Sequence, residues 1–98
     1  MPLTHLENQL RERARALIEQ GLLPASSPTK TFGGYGMGES CSLCGKPVPP
    51  PEVEYEVVYN RGIYRFHFMC HAAWQFEQAR REHLDNLAAS GNTGATRE

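Results

Sequence analysis

Four residues of this chain have the types and the spacing of a metal-binding site. Two residues separate Cys41 from Cys44, 22 residues follow, and two more separate His67 from Cys70. Structural zinc is held by four thiolate or imidazole ligands at the corners of a tetrahedron. A Cys-x-x-Cys turn can place two sulfurs on one ion, and residues three apart in a first helical turn share a face. The pattern therefore predicts one structural Zn²⁺ per chain, bound by Cys41, Cys44, His67 and Cys70.

The choice of the fourth ligand rests on helical geometry. The chain has only three cysteines, so the fourth ligand must be another group, and its four histidines are the natural candidates. His71 directly follows Cys70, and neighbouring helical residues point about 100° apart, which favours His67. The sequence leaves open whether His71 takes its place. It also leaves iron open, although zinc is the commoner metal in a mixed Cys/His set.

A redox function for the first two cysteines is the main alternative. Short cysteine spacings in a reducing compartment are more often metal-binding or catalytic than disulfide-forming. A redox pair is expected at a helix N-terminus, whereas Cys44 is followed by Gly-Lys-Pro and then by a run of prolines. That interpretation also leaves His67 and Cys70 unexplained, so we favour the metal site.

The elements around these residues suggest one small α+β domain. With 98 residues, the core is marginal and a metal is an expected means of stabilising it. We divide the chain into an N-terminal amphipathic helix (1–23), a Gly/Pro/Ser-rich loop or linker (24–40), a zinc-finger domain (41–89) and a disordered tail (90–98).

An apolar stripe and two capping signals predict the first helix. Thr4 and Glu7 resemble a capping box, and Gly21 stands where a C-terminal glycine belongs. We expect the stripe to pack on the rest of the domain, with a dimerisation or partner-docking helix as the alternative. The stripe comprises Leu3, Leu6, Leu10, Ala14, Leu17 and Ile18.

A β-hairpin should separate the two halves of the site, and a second helix should begin at the second half. Residues 53–59 alternate, which predicts a strand with Glu54 and Glu56 on one face and, on the core face, Val53, Tyr55, Val57 and Tyr59. Residues 63–67 form the returning strand, and a helix runs from Phe68 to about Ala89. Its expected apolar stripe comprises Met69, Ala73, Phe76, Leu84 and Leu87, with Trp74 on a neighbouring face.

The charge balance gives the chain no general affinity for polyanions. The net charge is −1, and zinc with three thiolates would add about one more negative charge. A nucleic-acid interface needs a basic stripe, so DNA or RNA binding is only the runner-up function. The basic and aromatic candidates are Arg61, Tyr64, Arg65, Arg80 and Arg81, and they are interrupted by Glu77, Glu82 and Asp85.

The sequence also predicts where the protein works. No apolar run approaches the roughly 20 residues that a membrane span needs. The first residues are charged throughout and contain no signal-peptide core. We expect a cytoplasmic protein without membrane contacts.

The order of these features resembles a treble-clef zinc finger: a Cys-x-x-Cys-Gly knuckle, a β-hairpin, and His-x-x-Cys at the start of a helix. The ligand pattern is also similar to the first zinc module of LIM domains, but Cys70 is the last cysteine of this sequence, so we do not expect the second module of a LIM domain. The strings CSLCGKPV and FHFMCHAAWQFE resemble small bacterial proteins with one such finger, whose function is not settled. The resemblance covers about residues 39–80 and implies the fold without implying one function.

An enzymatic function is disfavoured. A catalytic zinc usually keeps one position open, whereas four protein ligands are available here. The treble-clef nucleases carry a His/Asn/His-type set that this chain does not reproduce. The polar residues at the corresponding elements are Glu54, Glu56, Asn60, Arg61, His71 and His83.

We therefore expect a non-enzymatic regulatory or adaptor module that acts through protein contacts or self-association. Aromatic residues exceed what so small a core obviously needs, and they include Phe32 and Tyr35 in the glycine-rich segment. Phe76 is assigned to the core. Trp74 suits either the core or a binding surface, since tryptophan is common in both.

Overall fold

The chain folds into a three-stranded antiparallel sheet with two helices. The computed structural model describes the backbone of residues 4–97 and the side chains of residues 4–88. The elements in chain order are α1 (His5–Glu19), β1 (Lys30–Tyr35), β2 (Val53–Tyr59), β3 (Gly62–His67) and α2 (Phe68–Arg97). The strand order is β1-β2-β3. The expected α+β class is confirmed, and no described helix combines the length and apolar character needed to cross a bilayer.

The caps of α1 agree with the sequence signals. Thr4 accepts a hydrogen bond from the Glu7 backbone N–H, and the Glu7 carboxylate accepts one from the Thr4 N–H, which completes the capping box. At the other end Gly21 has a φ of 78°, and Leu22 N–H reaches Leu17 O at 2.9 Å. This closure satisfies carbonyls that would otherwise lack donors at the helix end.

The glycine-rich segment contains a strand, so its prediction as a loop is wrong for residues 30–35. β1 pairs with β2 from Lys30 opposite Val58 to Tyr35 opposite Val53. Farther along, a Cβ on Gly36 would lie 2.3 Å from Val48 O. Gly36 therefore allows close backbone packing at this point, where the chain is not a flexible linker.

The β2–β3 hairpin forms where the sequence predicts it, but one face differs from the expectation. Val57 and Phe66 are fully buried, as core residues should be. Glu54 is also buried, at 7% exposure, although its alternation placed it on a solvent face. Arg65 Nε lies 3.7 Å from Glu54 Oε2, and Glu54 Oε1 has no hydrogen-bond partner among the described residues.

The buried stripe of α2 is rotated from the predicted one. Trp74 is 1% exposed, stacks on Phe66 at 5.1 Å between ring centroids, and donates from Nε1 to Pro24 O. Phe76 is 50% exposed, so its assignment to the core is wrong. Met69, Leu84 and Leu87 are likewise exposed. Between residues 68 and 88, where the side chains of α2 are described, the buried residues are Cys70, Ala73, Trp74, Glu77 and Gln78.

A buried carboxylate explains this rotation. Glu77 is 2% exposed and receives Arg11 Nε at 3.2 Å and Arg15 Nε at 3.0 Å, both from α1. A buried charge must be paired, so α1 has to lie along the Glu77 face of α2. Arg11 also covers the exposed Phe76 ring, with its Cζ 3.6 Å from the centroid.

The helix α2 continues past Ala89, where the sequence analysis ended it. Residues 90–97 are helical, whereas the sequence analysis assigned 90–98 to a disordered tail, and Glu98 lies outside the described residues. The sequence has no proline after Pro51, so no residue here sterically forces the helix to stop.

Candidate metal centre

The first two cysteines lie in a tight knuckle that its own backbone holds closed. Cys41 N–H donates to Lys46 O at 2.8 Å, and Gly45 N–H donates to Cys41 O at 2.9 Å. Gly45 has a φ of 82°, in the left-handed region that favours glycine. Ser40 and Pro47 form a bridge across the base of the turn. The turn therefore directs the side chains of Cys41 and Cys44 toward the same region.

Hydrogen bonds to β3 bring the second pair to this knuckle. Ser42 N–H donates to Arg65 O at 2.6 Å, and Arg65 N–H donates to Ser42 Oγ at 3.1 Å. β3 ends at His67, and α2 starts at the next residue, which places Cys70 in its first turn. The strand end and the helix start thus supply two side chains to the same point.

The four residues predicted as ligands come together around one point. Their three Sγ atoms and one imidazole nitrogen all lie within 4.8 Å of one another. His67 Nδ1 is 3.4 Å from Cys44 Sγ and 3.9 Å from Cys70 Sγ. A tetrahedral zinc with bonds of about 2.3 Å to sulfur and 2.0 Å to nitrogen would separate such ligand atoms by about 3.5–3.8 Å. The donor set therefore fits one zinc ion.

A backbone carbonyl fixes the orientation of the imidazole. His67 Nε2 lies 3.0 Å from Pro47 O. Because a carbonyl oxygen can only accept, Nε2 carries the hydrogen and donates a hydrogen bond to that oxygen. Nδ1 is then the free nitrogen and faces the thiols. Metal-bound histidines usually donate their second N–H to a carbonyl or carboxylate in this way. Pro47, at the end of the knuckle, is a supporting residue that sequence spacing did not single out.

The thiols of Cys41 and Cys70 shift each other's pKa in opposite directions. The pKa of Cys41 is lowered to about 4, chiefly by a hydrogen bond from the Cys70 thiol. That same hydrogen bond raises the pKa of Cys70, and burial adds to the rise. Leu43 N–H also donates to Cys41 Sγ at 3.4 Å. Anionic sulfur is thus already favoured at Cys41, and a bound cation deprotonates coordinating thiols outright.

His71 lies outside this group and has a packing position instead. Its ring stacks on Tyr55, with centroids 4.5 Å apart and an interplanar angle of 16°. It also contacts Phe66 and Trp74 at ring distances near 6 Å. Burial lowers the pKa of His71, which favours a neutral ring. The ring therefore supports the sheet–helix junction rather than the sulfur cluster.

Helix α1 also contacts the knuckle. Arg13 donates from Nε to the backbone carbonyl of Leu43, which lies between the two cysteines. Leu43 itself is fully buried. No local pattern in the sequence predicts this contact, because the arginine and the carbonyl lie 30 positions apart. The first helix and the metal centre therefore form one structural unit.

Comparisons with known proteins found no match: no protein-family model, no curated protein and no solved structure is significantly similar to this chain. The assignment of the centre consequently depends on the geometry of its four side chains.

An apolar groove adjoins the exposed side of the centre. Cys44 and His67 are partly exposed, whereas Cys41 and Cys70 are buried. The groove runs over Cys44, His67 and Cys70 and continues between the helices. We call it the α1–α2 groove, and its apolar residues are Leu6, Leu10, Val53, Phe68, Met69 and Phe76.

Proposed function

We propose that this chain is a small, non-enzymatic protein with one structural zinc ion in a treble-clef-like finger, acting as an adaptor or regulatory module through protein contacts. The observation that carries the proposal is the convergence of three thiols and the free Nδ1 of His67 within 4.8 Å of one another. The knuckle, the hairpin and the start of α2 follow the order that a treble clef requires. Bound zinc would join these three pieces.

A structural use of the metal follows from the ligand set. Four protein ligands complete a tetrahedral site and leave no position for water or substrate. The supporting hydrogen bonds come from backbone groups of the knuckle and from Pro47. Such contacts hold ligands in place and supply no acid or base to a reaction. The metal would mainly contribute folding free energy, about 10 kcal/mol in comparable modules.

The α1–α2 groove supports the choice of a protein partner. Phe68 is 60% exposed and lies on the groove beside the metal ligands, and Phe76, 50% exposed, lies farther along it between the helices. Exposed apolar patches of this kind mark interaction sites in soluble proteins. A partner with apolar side chains would cover the groove and shield the exposed side of the zinc site.

The charge arrangement favours a protein partner over nucleic acid. Arg65 lies 3.2 Å from Glu56, and Arg81 lies 3.6 Å from Asp85. Arg80 Nε lies 3.3 Å from Glu77 Oε1, so this arginine is also paired. Arginines that are neutralised by neighbouring carboxylates give little of the basic field that phosphate binding needs. The three free thiols suit a reducing compartment, and we place the protein in the cytoplasm on that ground.

The structural use of zinc is tested by removing the metal. Adding a strong chelator to the loaded protein should collapse its dispersed amide NMR spectrum, and adding back one equivalent of Zn²⁺ should restore it. A spectrum that stays dispersed after complete zinc removal would refute the structural function.

The partner class is tested by two binding experiments. Mixed-sequence DNA and RNA are titrated at low and moderate salt, and we expect no salt-sensitive binding of the kind that phosphate contacts produce. A photo-crosslinking residue is then placed at Phe68, with Leu87 as the matched exposed control on the same helix. Protein adducts should form from position 68 and not from position 87, and Met69→Asp should suppress them. Steeply salt-dependent nucleic-acid binding without protein adducts would favour the runner-up function.

A further inference from the structure

The outer edge of β1 is an open sheet edge. All six residues of the strand are exposed, and within the part of the chain that the structure describes, β1 contacts no element except β2. The strand contains no proline, and its only charged residue is Lys30 at one end. Natural proteins usually protect such an edge with charges, prolines, bulges or a covering segment. From Thr31 to Tyr35 the edge has neither a charge nor a proline, so this stretch is a candidate pairing surface.

The register shows which backbone groups face outward. Gly36 N–H donates to Glu52 O at 2.8 Å, and this pair continues the β1–β2 register in which Gly34 opposes Glu54 and Phe32 opposes Glu56. In an antiparallel ladder, bonded and non-bonded pairs alternate. Even-numbered residues of β1 therefore bond to β2. Thr31, Gly33 and Tyr35 direct their N–H and C=O groups away from the sheet.

A second β1 strand fits this edge by two-fold symmetry. An antiparallel pairing centred on Gly33 places Thr31 of one copy opposite Tyr35 of the other. The N–H and C=O groups of all three outward-facing residues then form hydrogen bonds with the other copy, about six in total. The symmetry is closed and isologous, as in most homodimers.

The side chains of this register are compatible with pairing. Phe32 of each copy lies opposite Gly34 of the other, where a Cβ would meet nothing within 4 Å. An aromatic ring across from a glycine covers the exposed backbone of a strand. Thr31 and Tyr35 form the cross-strand pair on the other face, and such pairs contribute about 0.2–1 kcal/mol each.

The charges also favour a second copy of this chain. Lys30 of one copy lies opposite Gly36 of the other, and Gly36 is bonded to Glu52. Glu52 is largely exposed, with 58% of its side chain accessible. The lysine and this carboxylate then lie in one row of the continuous sheet, on either side of Gly36, over which the carbonyls of Val48 and Pro49 pack. Their charges therefore attract each other across that backbone rather than in direct contact. The two Lys30 residues lie at opposite ends of the pairing and do not repel each other closely.

We propose that two copies of this chain associate through their β1 strands, centred on Gly33, to form one continuous six-stranded sheet. The proposal does not depend on the α1–α2 groove, which remains open for another partner.

The first test measures mass against concentration for the zinc-loaded full chain. Light scattering after size-exclusion chromatography should show a rise from 11.0 kDa toward twice that mass between about 1 μM and 1 mM, a range that spans moderate to weak affinities. Over the same range, amide exchange at Thr31, Gly33 and Tyr35 should slow about tenfold, while the amides of Phe32 and Gly34, already bonded to β2, should change little.

Two variants and one control assign any dimer to this edge. Thr31→Pro removes an outward N–H and leaves the β1–β2 bonds intact, since proline is tolerated at strand positions whose N–H faces solvent. Thr31→Val keeps the N–H and serves as the matched control. Tyr35→Asp provides a second disruption that does not change the backbone, in case the proline variant fails to bind zinc or fold.

The expected result is a dimer for wild type and Thr31→Val and a monomer for Thr31→Pro and Tyr35→Asp. A mass of 11.0 kDa at every concentration would overturn the proposal, as would a dimer that survives both disruptions. Protection of the β1 amides only when a foreign protein is added would assign the edge to that protein's strand and would also overturn it.

Discussion

Arg13 donates a hydrogen bond from its Nε to the backbone carbonyl of Leu43, in the middle of the Cys-x-x-Cys knuckle. This contact connects the first helix to the metal centre directly. The side chain of Arg13 is otherwise exposed, so its removal perturbs little else.

Arg13→Ala should weaken zinc binding. Hydrogen bonds from charged groups contribute about 1.5–3 kcal/mol, less where the donor is exposed, so we expect a loss of about 1 kcal/mol, or about fivefold in zinc affinity. Competition with a chromophoric chelator measures the change. Arg61→Ala is the control, since Arg61 is exposed and should leave the affinity unchanged. Equal affinities for both variants would show that α1 does not support the knuckle.

Replacing Glu77 should loosen the contact between the helices. Glu77→Gln leaves Arg11 and Arg15 without their carboxylate. Loss of a partner costs about 3–5 kcal/mol for a fully buried pair and less than 1 kcal/mol for an exposed one. Because the arginine side chains are 23% and 42% exposed, we expect Glu77→Gln to lower the free energy of unfolding by about 2 kcal/mol. Urea unfolding of zinc-loaded protein measures it.

The control for Glu77 is the exposed pair on the same helix. Asp85 is 70% exposed and pairs with Arg81 at 3.6 Å. Asp85→Asn should change the free energy of unfolding by less than about 0.5 kcal/mol. Similar losses for the two variants would contradict the importance of the buried network.

The same network predicts a pH dependence. Burial alone would raise the pKa of Glu77, but hydrogen bonds from Arg15 and Arg11 outweigh it, and the pKa lies below its ordinary value of 4.5. A carboxylate with a depressed pKa adds stability that is fully present above 4.5 and lost as the pH falls through the lower, folded-state value.

The pH effect is isolated by comparing wild type with Glu77→Gln. Zinc release in acid affects both proteins, so the difference between their unfolding free energies reports Glu77 alone. This difference should be constant above about pH 5 and shrink toward zero below about pH 4. A difference that grows on acidification would contradict the assigned direction of the pKa shift.

Two glycines in and next to β1 should lose very different amounts of stability when each is replaced by alanine. An added Cβ at Gly36 would lie 2.3 Å from Val48 O and 2.4 Å from Pro49 O, whereas at Gly34 it would meet nothing within 4 Å. Gly36→Ala should therefore cost about 3 kcal/mol through backbone displacement, and Gly34→Ala should cost less than about 0.5 kcal/mol. Thermal unfolding compares them, and equal stabilities would contradict the packing of this segment.

The parts of the fold that the sequence predicted were those with local signals. Thr4, Glu7 and Gly21 marked the ends of α1, and the alternation of residues 53–59 marked β2. The four cysteine and histidine residues of the centre were identifiable because ligand spacing follows from turn and helix geometry, which short stretches of sequence determine.

The parts that it missed depend on distant contacts. The two glycines of the Thr-Phe-Gly-Gly-Tyr stretch lower its strand propensity. It still forms β1 because β2 offers a paired edge and Tyr55 packs 3.5 Å from where a Cβ on Gly33 would lie. Periodicity placed Phe76 on the core stripe of α2 and Trp74 on a neighbouring face, which is the reverse of their burial. The pairing of Glu77 with two arginines of α1 decides which of them is buried, and no local pattern shows that pairing.

Zinc content per chain, measured by elemental analysis on untagged wild type, His67→Ala and His71→Ala, is the decisive test of the four-residue metal centre. We predict about one zinc per chain in wild type, retention in His71→Ala, and loss or strong depletion in His67→Ala, because Nδ1 of His67 faces the sulfurs while His71 stacks on Tyr55. Wild-type protein that binds no metal, or a site that survives loss of His67 and fails without His71, would contradict it.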